Sequence, residues 1–303
     1  MTMEAPVNER YVLATGTAGA ARLALLDSVY GPGATAIMSQ IGIPRGARIA
    51  DIGCGTGIMA RWFAREVGPD GEITAVDASE DQLEVARKNT GMAGSRNIRF
   101  VNASAYDTGL PRDRFDMVHC RALLCHLARP LDALREMAAI TRPGGVVICC
   151  DFDFTGLFSF PATACYARVR ELMVTFDRLR GIDTALGLNL PRLFRQVGLV
   201  NPDIAFIHPI YLRGECKRLF EYSFFEASPH FVKSGLTDET ELKQLATDLA
   251  EVAADETISI AQGRMPVTWA RKAPESLRKN PHDLQPMPPS MRDEKNISKL
   301  CRA

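Results

Sequence analysis

Residues 47–68 read ARIADIGCGTGIMARWFAREVG, and this stretch decides the fold. The short run ARIADI (47–52) is strand-like and stops at a glycine cluster. The following IMARWFAREVG (58–68) sets Ile58, Trp62, Phe63 and Val67 at helical spacing before Gly68 ends it. Strand, glycine loop and helix form one unit of a parallel sheet with crossover helices, and the pattern repeats downstream. EITAVD (72–77) reads as a second strand, Glu80 to Thr90 as its helix, and Asn97–Val101 as a third strand. FDMVHC (115–120) reads as a fourth strand, Pro130 to Thr141 as a helix, and RPGG (142–145) as the turn into a fifth strand, VVICCDF. The fold expected is therefore α/β, a doubly wound Rossmann-like sheet.

Outside this core the alternation stops. Phe158–Arg180 reads as one long amphipathic helix with Tyr166, Val169, Met173 and Phe176 on one face, and Leu190–Gln196 as a short helix. Residues 197–210 read as a sixth strand, 215–253 as two helices broken around Pro229 to Gly235, and Pro266–Arg271 as a final strand. The organisation expected is an N-terminal helical extension or lid (1–43), an α/β core (44–153), and a helical lid insertion including strand six (154–235). A helix and strand complete the sheet (236–272), and from 273 to 303 prolines and charges without periodicity suggest a mobile tail.

Composition narrows the function. Among 303 residues, 36 basic ones balance 36 acidic ones, which gives no electrostatic footprint for a phosphate backbone and disfavours a nucleic-acid partner. The longest apolar runs, such as Val146–Cys150, fall far short of the ~20 residues that a membrane helix needs. Glu4 and Glu9 sit where a signal peptide would be basic and then apolar, so a cytoplasmic location is expected. Eight cysteines without a C-x-x-C, two of them inside the apolar run, read as free buried thiols.

The segment Asp51-Ile52-Gly53-Cys54-Gly55-Thr56-Gly57 carries the chemistry, together with Asp77 at the tip of strand two. Glycines let the backbone turn sharply and approach a ligand, a helix start offers unpaired amides, and an acid ending strand two accepts ribose hydroxyls. A nucleoside cofactor follows. The third glycine of the dinucleotide fingerprint would fall at Ile58, and Asp51 would repel a pyrophosphate. The carboxylate suits instead a cofactor with an ammonium and a sulfonium, as S-adenosylmethionine has.

With these motifs the sequence resembles the class I S-adenosylmethionine-dependent methyltransferases of seven-stranded fold. The similarity extends through VDAS (76–79) and FDMVHCRALLCHLARPLDALREMAAITRPGG (115–145). With GLNLPRLFRQVGL (187–199) and TWARK (268–272), it is to the small-molecule branch, which includes many bacterial natural-product enzymes. The resemblance implies that Asp51, Gly53, Cys54, Gly55 and Gly57 hold the methionine end. It gives Asp77 the ribose, with Gln82 on the ribose side, and Ala78 the adenine edge. The family's adenine-binding acid after strand three is replaced by Ser104, beside Ala105, and a serine oxygen can still accept that bond.

Arg121, at the end of strand four, either closes the cofactor pocket or forms an ion pair. His119 is either a catalytic imidazole or a core histidine, and Tyr11 either a lid over the sulfonium or an ordinary helix contact. His126 and His230 are the other imidazoles considered as a base, and Asp153 after strand five either faces the site or caps the next element. In-line methyl transfer requires no metal. Phe154, Phe158, Phe160, Phe176, Phe224 and Phe225 point to an apolar or aromatic small-molecule acceptor. Self-association is left open. The alternatives kept are an enzyme of this fold with non-methylating chemistry, a cyclase or decarboxylase, and a non-catalytic nucleoside-binding protein.

Overall fold

The structure is a computed structural model that describes residues 16–274; Tyr11 and the expected tail beyond 274 lie outside the described residues. Helix α1 (Gly16–Ile41) leads into strand β1 (Arg48–Ile52), helix α2 (Ile58–Val67), strand β2 (Glu72–Asp77), helix α3 (Glu80–Ala93), strand β3 (Ile98–Asn102) and strand β4 (Phe115–Arg121). Helix α4 (Pro130–Ile140) and strand β5 (Thr141–Cys150) complete the alternating part. The α3 start is locally encoded, because the Ser79 hydroxyl accepts the amide of Gln82 and two acids occupy the first turn.

Seven strands form one sheet in the order β3-β2-β1-β4-β5-β10-β7, with β7 spanning Leu199–Ile207 and β10 Met265–Lys272. Strands β1 to β5 pair in parallel, whereas β10 runs antiparallel to both β5 and β7. The strand order reverses direction between β1 and β4. Open α/β sheets hold ligands at such a switch, outside the carboxyl ends of the strands. From Ile49 onward β1 is buried on both faces, as a central parallel strand must be, and Phe63 of α2 packs on it fully buried.

Several expected elements change in detail. RPGG is not a free turn but part of β5, accommodated by a register shift opposite Phe115 and Met117. The single helix expected over Phe158–Arg180 begins only at Ala164: Phe158–Phe160 forms strand β6, and α5 spans Ala164–Leu179. Pro161 explains the split, since the residue before a proline is biased to extended backbone. Helix α6 starts earlier than expected, at Leu186, and runs to Gln196.

Helix α7 (Leu219–Lys233) passes through Pro229 rather than breaking there. Proline deprives the carbonyl of Phe225 of its helical donor, and the Ser228 hydroxyl donates to that carbonyl at 2.9 Å instead. The break falls at 234–238, where the Asp238 carboxylate caps helix α8 (Glu239–Ala254) by accepting from Glu241 N at 2.8 Å. Strands β8 (Ile210–Tyr211) and β9 (Ser259–Ala261) join β6 in a small antiparallel sheet, order β6-β9-β8. Strands of two or three residues carry too little period-two pattern to be read from sequence.

Two hydrophobic clusters result. The larger surrounds the main sheet; the smaller unites Tyr166, Val169 and Phe176 of α5, Phe224 and Phe231 of α7, and Leu245 of α8. Helix α8 thus packs with the cap beside the sheet, while β10 completes the sheet. Among the described residues no helix is long and apolar enough to cross a membrane.

Candidate functional site

The loop between β1 and α2 turns through three left-handed glycines, with φ of 70° at Gly53, 51° at Gly55 and 74° at Gly57. A Cβ at Gly57 would stand 3.1 Å from the Ala86 Cβ, so that glycine lets α2 and α3 approach. A Cβ at Gly55 would meet nothing within 4 Å among the described residues, because Gly55 faces a cavity.

That cavity, about 540 Å³, opens over the carboxyl ends of β1, β2 and β4. Asp51, Gly53, Cys54 and Gly55 line it, as do Asp77, Ala78 and Gln82. On its other sides stand Ser104, Ala105 and Arg121. Gly57 and His119 are not among its walls.

Asp51 is 2 % exposed, and its Oδ1 accepts the Nδ1–H of His119 at 2.8 Å. Its Oδ2 is buried without a hydrogen-bond partner among the described residues. Asp77 Oδ2 accepts the amide of Gly55 at 2.8 Å and Oδ1 that of Ser79 at 2.9 Å, which fixes the glycine loop to the end of β2. Burial raises the Asp77 carboxyl above the usual range, against the lowering effect of these backbone bonds. Each oxygen keeps acceptor capacity for a second donor. Gln82 Oε1 is also buried and unpartnered among the described residues.

The residues present fit S-adenosylmethionine. An unsatisfied carboxylate oxygen can take an ammonium, a doubly anchored acid can take ribose hydroxyls, and an open glycine face admits the ligand backbone-close.

His119 is corrected from catalytic imidazole to core residue. It is 0 % exposed, its ring is edge-on to Phe63 at 5.1 Å, and its Nε2 lies 3.9 Å from the Cys150 sulfur. It holds Asp51 and does not line the cavity. Arg121 forms the ion pair that was one of its two readings, with Asp27 of α1 at 2.8 Å, and it lines the cavity. Asp153 caps the turn Phe154–Gly156 and pairs with Arg264 at 2.6 Å, a structural role. His230 is exposed on α7, away from the cavity.

Beyond the cofactor end the cavity becomes a chamber walled by Phe152, Phe154, Met173, Phe176 and Phe220. Of the six phenylalanines expected at an acceptor, only Phe154 and Phe176 line it. Phe158 and Phe160 are exposed on the small sheet, and Phe224 and Phe225 pack in the second cluster. The chamber also holds Arg22, His126, Asp177 and Arg180. Sequence reading missed Arg22, Asp177 and Arg180, which carry no motif and line one cavity only because α1 and α5 both border it. It also missed Tyr106, a cavity wall under the Arg129 guanidinium at 4.4 Å, although its neighbours in VNASAYD were singled out. Buried Asp151 was overlooked too; its Oδ2 accepts the amide of Leu124 at 2.7 Å and so sets the turn that presents His126.

Residues 50–149 match the family described as a methyltransferase domain. A demethylmenaquinone methyltransferase of Geobacillus kaustophilus is 30 % identical over 143 residues, 47 % of this chain and 61 % of that protein. One of Staphylococcus aureus is 34 % identical over 115 residues, 38 % of this chain and 47 % of that protein. The chain thus spans about half to three-fifths of the length of these curated relatives. Among solved structures, a protein of Bacillus halodurans superposes with TM-score 0.53 at 22 % identity, covering 78 % of this chain and 98 % of that one. A [4+2]-cyclase gives TM-score 0.50 at 19 % identity over 88 % of this chain and 86 % of that one. These two likenesses show the fold alone. Residues 50–149 of this chain thus match a methyltransferase domain, and they lie within a seven-stranded sheet of the order β3-β2-β1-β4-β5-β10-β7.

Proposed function

We propose that the protein transfers a methyl group from S-adenosylmethionine to an oxygen, nitrogen or carbon atom of a small apolar or aromatic molecule. The observation that carries this reading is the unsatisfied Oδ2 of Asp51 at one end of a cavity whose other end is walled by aromatic side chains. The demethylmenaquinone methyltransferases among the relatives support a small-molecule acceptor.

When bound, S-adenosylmethionine supplies a methyl carbon already activated by its sulfonium. Asp51 takes the cofactor's ammonium, held in orientation by His119. Gly53, Cys54 and Gly55 give the methionine end a close backbone wall, and Gly57 lets the loop join α2. Asp77 accepts the ribose hydroxyls with Gln82 beside it; Ala78, Ser104 and Ala105 flank the adenine. Arg121 ties α1 over the site through Asp27. Helices α5, α7 and α8 with α1 form the lid that aligns the acceptor and excludes water, which is most of what an in-line displacement asks of a protein.

The test is calorimetric titration with S-adenosylmethionine and S-adenosylhomocysteine, followed by mass spectrometry of reactions with aromatic acceptors. Saturable binding and a product heavier by one CH2 are expected. Binding with a product of unchanged mass would select the non-methylating alternative, and no binding would overturn the reading.

A further inference from the structure

Three aromatic rings close the far end of the cavity. Along the sheet order β2-β1-β4-β5-β10, Asp77 and Asp51 stand on β2 and β1, whereas Phe152 and Phe154 follow β5 and Gly263 precedes β10. At about 4.8 Å per strand the step from β2 to β10 is about 19 Å, so these residues wall the end remote from Asp77. Phe152 stacks on Phe154 with 5.2 Å between centroids and 16° between planes, and Tyr30 of α1 stands edge-on to Phe152 at 5.4 Å. The Tyr30 hydroxyl donates to the Gly263 carbonyl at 2.7 Å, so one ring joins α1 to the turn between β9 and β10. Burial raises that hydroxyl well above its ordinary range, which keeps it a neutral donor.

Helix α1 shows where the cavity stops. Leu23, Leu26, Tyr30, Ala34 and Met38 follow one another at three- and four-residue spacing and form one apolar stripe. The first three line the cavity; Ala34 and Met38 do not, and both are wholly buried in the main core. The sheet side repeats this, since Gln262 and Gly263 line the cavity while Met265 and Val267, wholly buried, do not. A Cβ at Gly263 would approach Phe154 Cδ1 to 3.3 Å, so the glycine lets the turn close up against the rings.

We propose that Tyr30 is a specificity-determining residue that sets the length of the acceptor: its ring is the stop that the far end of the acceptor meets, held in place by the bond to Gly263. The inference rests on the methyltransferase reading and deepens it, because an acceptor whose reacting atom meets the cofactor has only the space as far as Tyr30. Three rings make that end apolar, which suits a hydrocarbon or aryl terminus.

The test uses the full chain and a series of 4-alkylphenols, from methyl to octyl, titrated by calorimetry with and without S-adenosylhomocysteine. In the parent each added methylene is expected to tighten binding about fourfold until the chain reaches Tyr30, where the gain stops. Tyr30→Ala moves that break to a chain at least about two methylenes longer, into the space the ring leaves. Tyr30→Leu, a smaller loss of volume, moves it in the same direction. Tyr30→Phe keeps the ring and loses only the hydroxyl, so its break stays at the parent's length; near-UV circular dichroism checks that each variant is folded. A merely structural role would instead weaken every member of the series alike in the Ala and Leu variants, and that result overturns the proposal. So does a break that stays at the parent's length in both, a series without a break, or a parent that binds no member. Titration with S-adenosylhomocysteine alone reads the methyltransferase assignment separately. Absent binding there with a break that moves sinks that assignment and leaves the length stop standing, whereas intact binding with a fixed break sinks the length stop alone.

Discussion

The Nδ1–H of His119 donates to Oδ1 of Asp51 at 2.8 Å, and the two residues face each other in register on the paired strands β4 and β1. One carboxylate oxygen is thereby spent inside the sheet and the other is left at the cavity. His119→Leu should raise the dissociation constant of S-adenosylhomocysteine about tenfold and lower stability by about 1–3 kcal/mol, since it strips a partner from a buried acid. Calorimetry and urea unfolding check both. Unchanged affinity would mean that Asp51 needs no holding.

Asp77 fixes the glycine loop as well as facing the ligand. Asp77→Ala should therefore weaken cofactor binding by at least about tenfold. It should also speed hydrogen exchange at the Gly55 amide, which loses its 2.8 Å acceptor. Lost affinity with undisturbed exchange would show that the loop holds its shape alone.

Gly55 and Gly57 should separate binding from stability. Gly57→Ala combines positive φ with a 3.1 Å approach to Ala86, so a loss of about 1–2 kcal/mol in urea unfolding is expected. Gly55→Ala meets only the backbone cost, about 1 kcal/mol, but intrudes on the cavity and should cut S-adenosylhomocysteine affinity more than Gly57→Ala does. The reverse ranking of affinities would place the ligand elsewhere.

The Arg121–Asp27 pair joins β4 to α1 across the cavity rim. Asp27→Asn should leave the guanidinium poorly compensated, at about 1–2 kcal/mol, with α1 amides exchanging faster than those of β1. Hydrogen-exchange mass spectrometry resolves the two segments. Equal protection of α1 in both proteins would refute the tie.

Asp177 should give the protein a pH signature. Its folded-state pKa of about 6 lies above the model-peptide value of 3.8, so the native state binds the proton more tightly. This contribution therefore weakens stability as pH rises from 3.8 to 6 and leaves a penalty above that range. Asp177→Asn should be more stable than the parent by about 1–3 kcal/mol at neutral pH, the gap closing towards pH 4. Urea unfolding at the two pH values decides it; a gap that does not change would locate the carboxyl in water.

Sequence legibility followed the range of the determining interactions. Strands β1, β2 and β4 and helix α2 lie within a residue or two of their expected bounds, because period, glycine and capping signals are local. The split at Pro161, the uninterrupted helix at Pro229 and the three-stranded sheet were misread or missed. At Pro229 and in the small sheet the outcome depends on a single hydroxyl or on partners about fifty to a hundred residues away, whereas the split follows from Pro161 itself.

The sequence by itself determined the α/β class, the glycine loop with its two acids and hence the kind of cofactor, since those residues act through their own backbone and a fixed spacing. Only the tertiary structure decided that His119 turns inward to Asp51, that two of six expected phenylalanines reach the chamber, and that Arg22 and Arg180 both line it. Side chains on α1 and α5 come to line one cavity through the packing of whole helices beside the sheet. That packing is a sum over many weak apolar contacts which no short stretch of sequence contains.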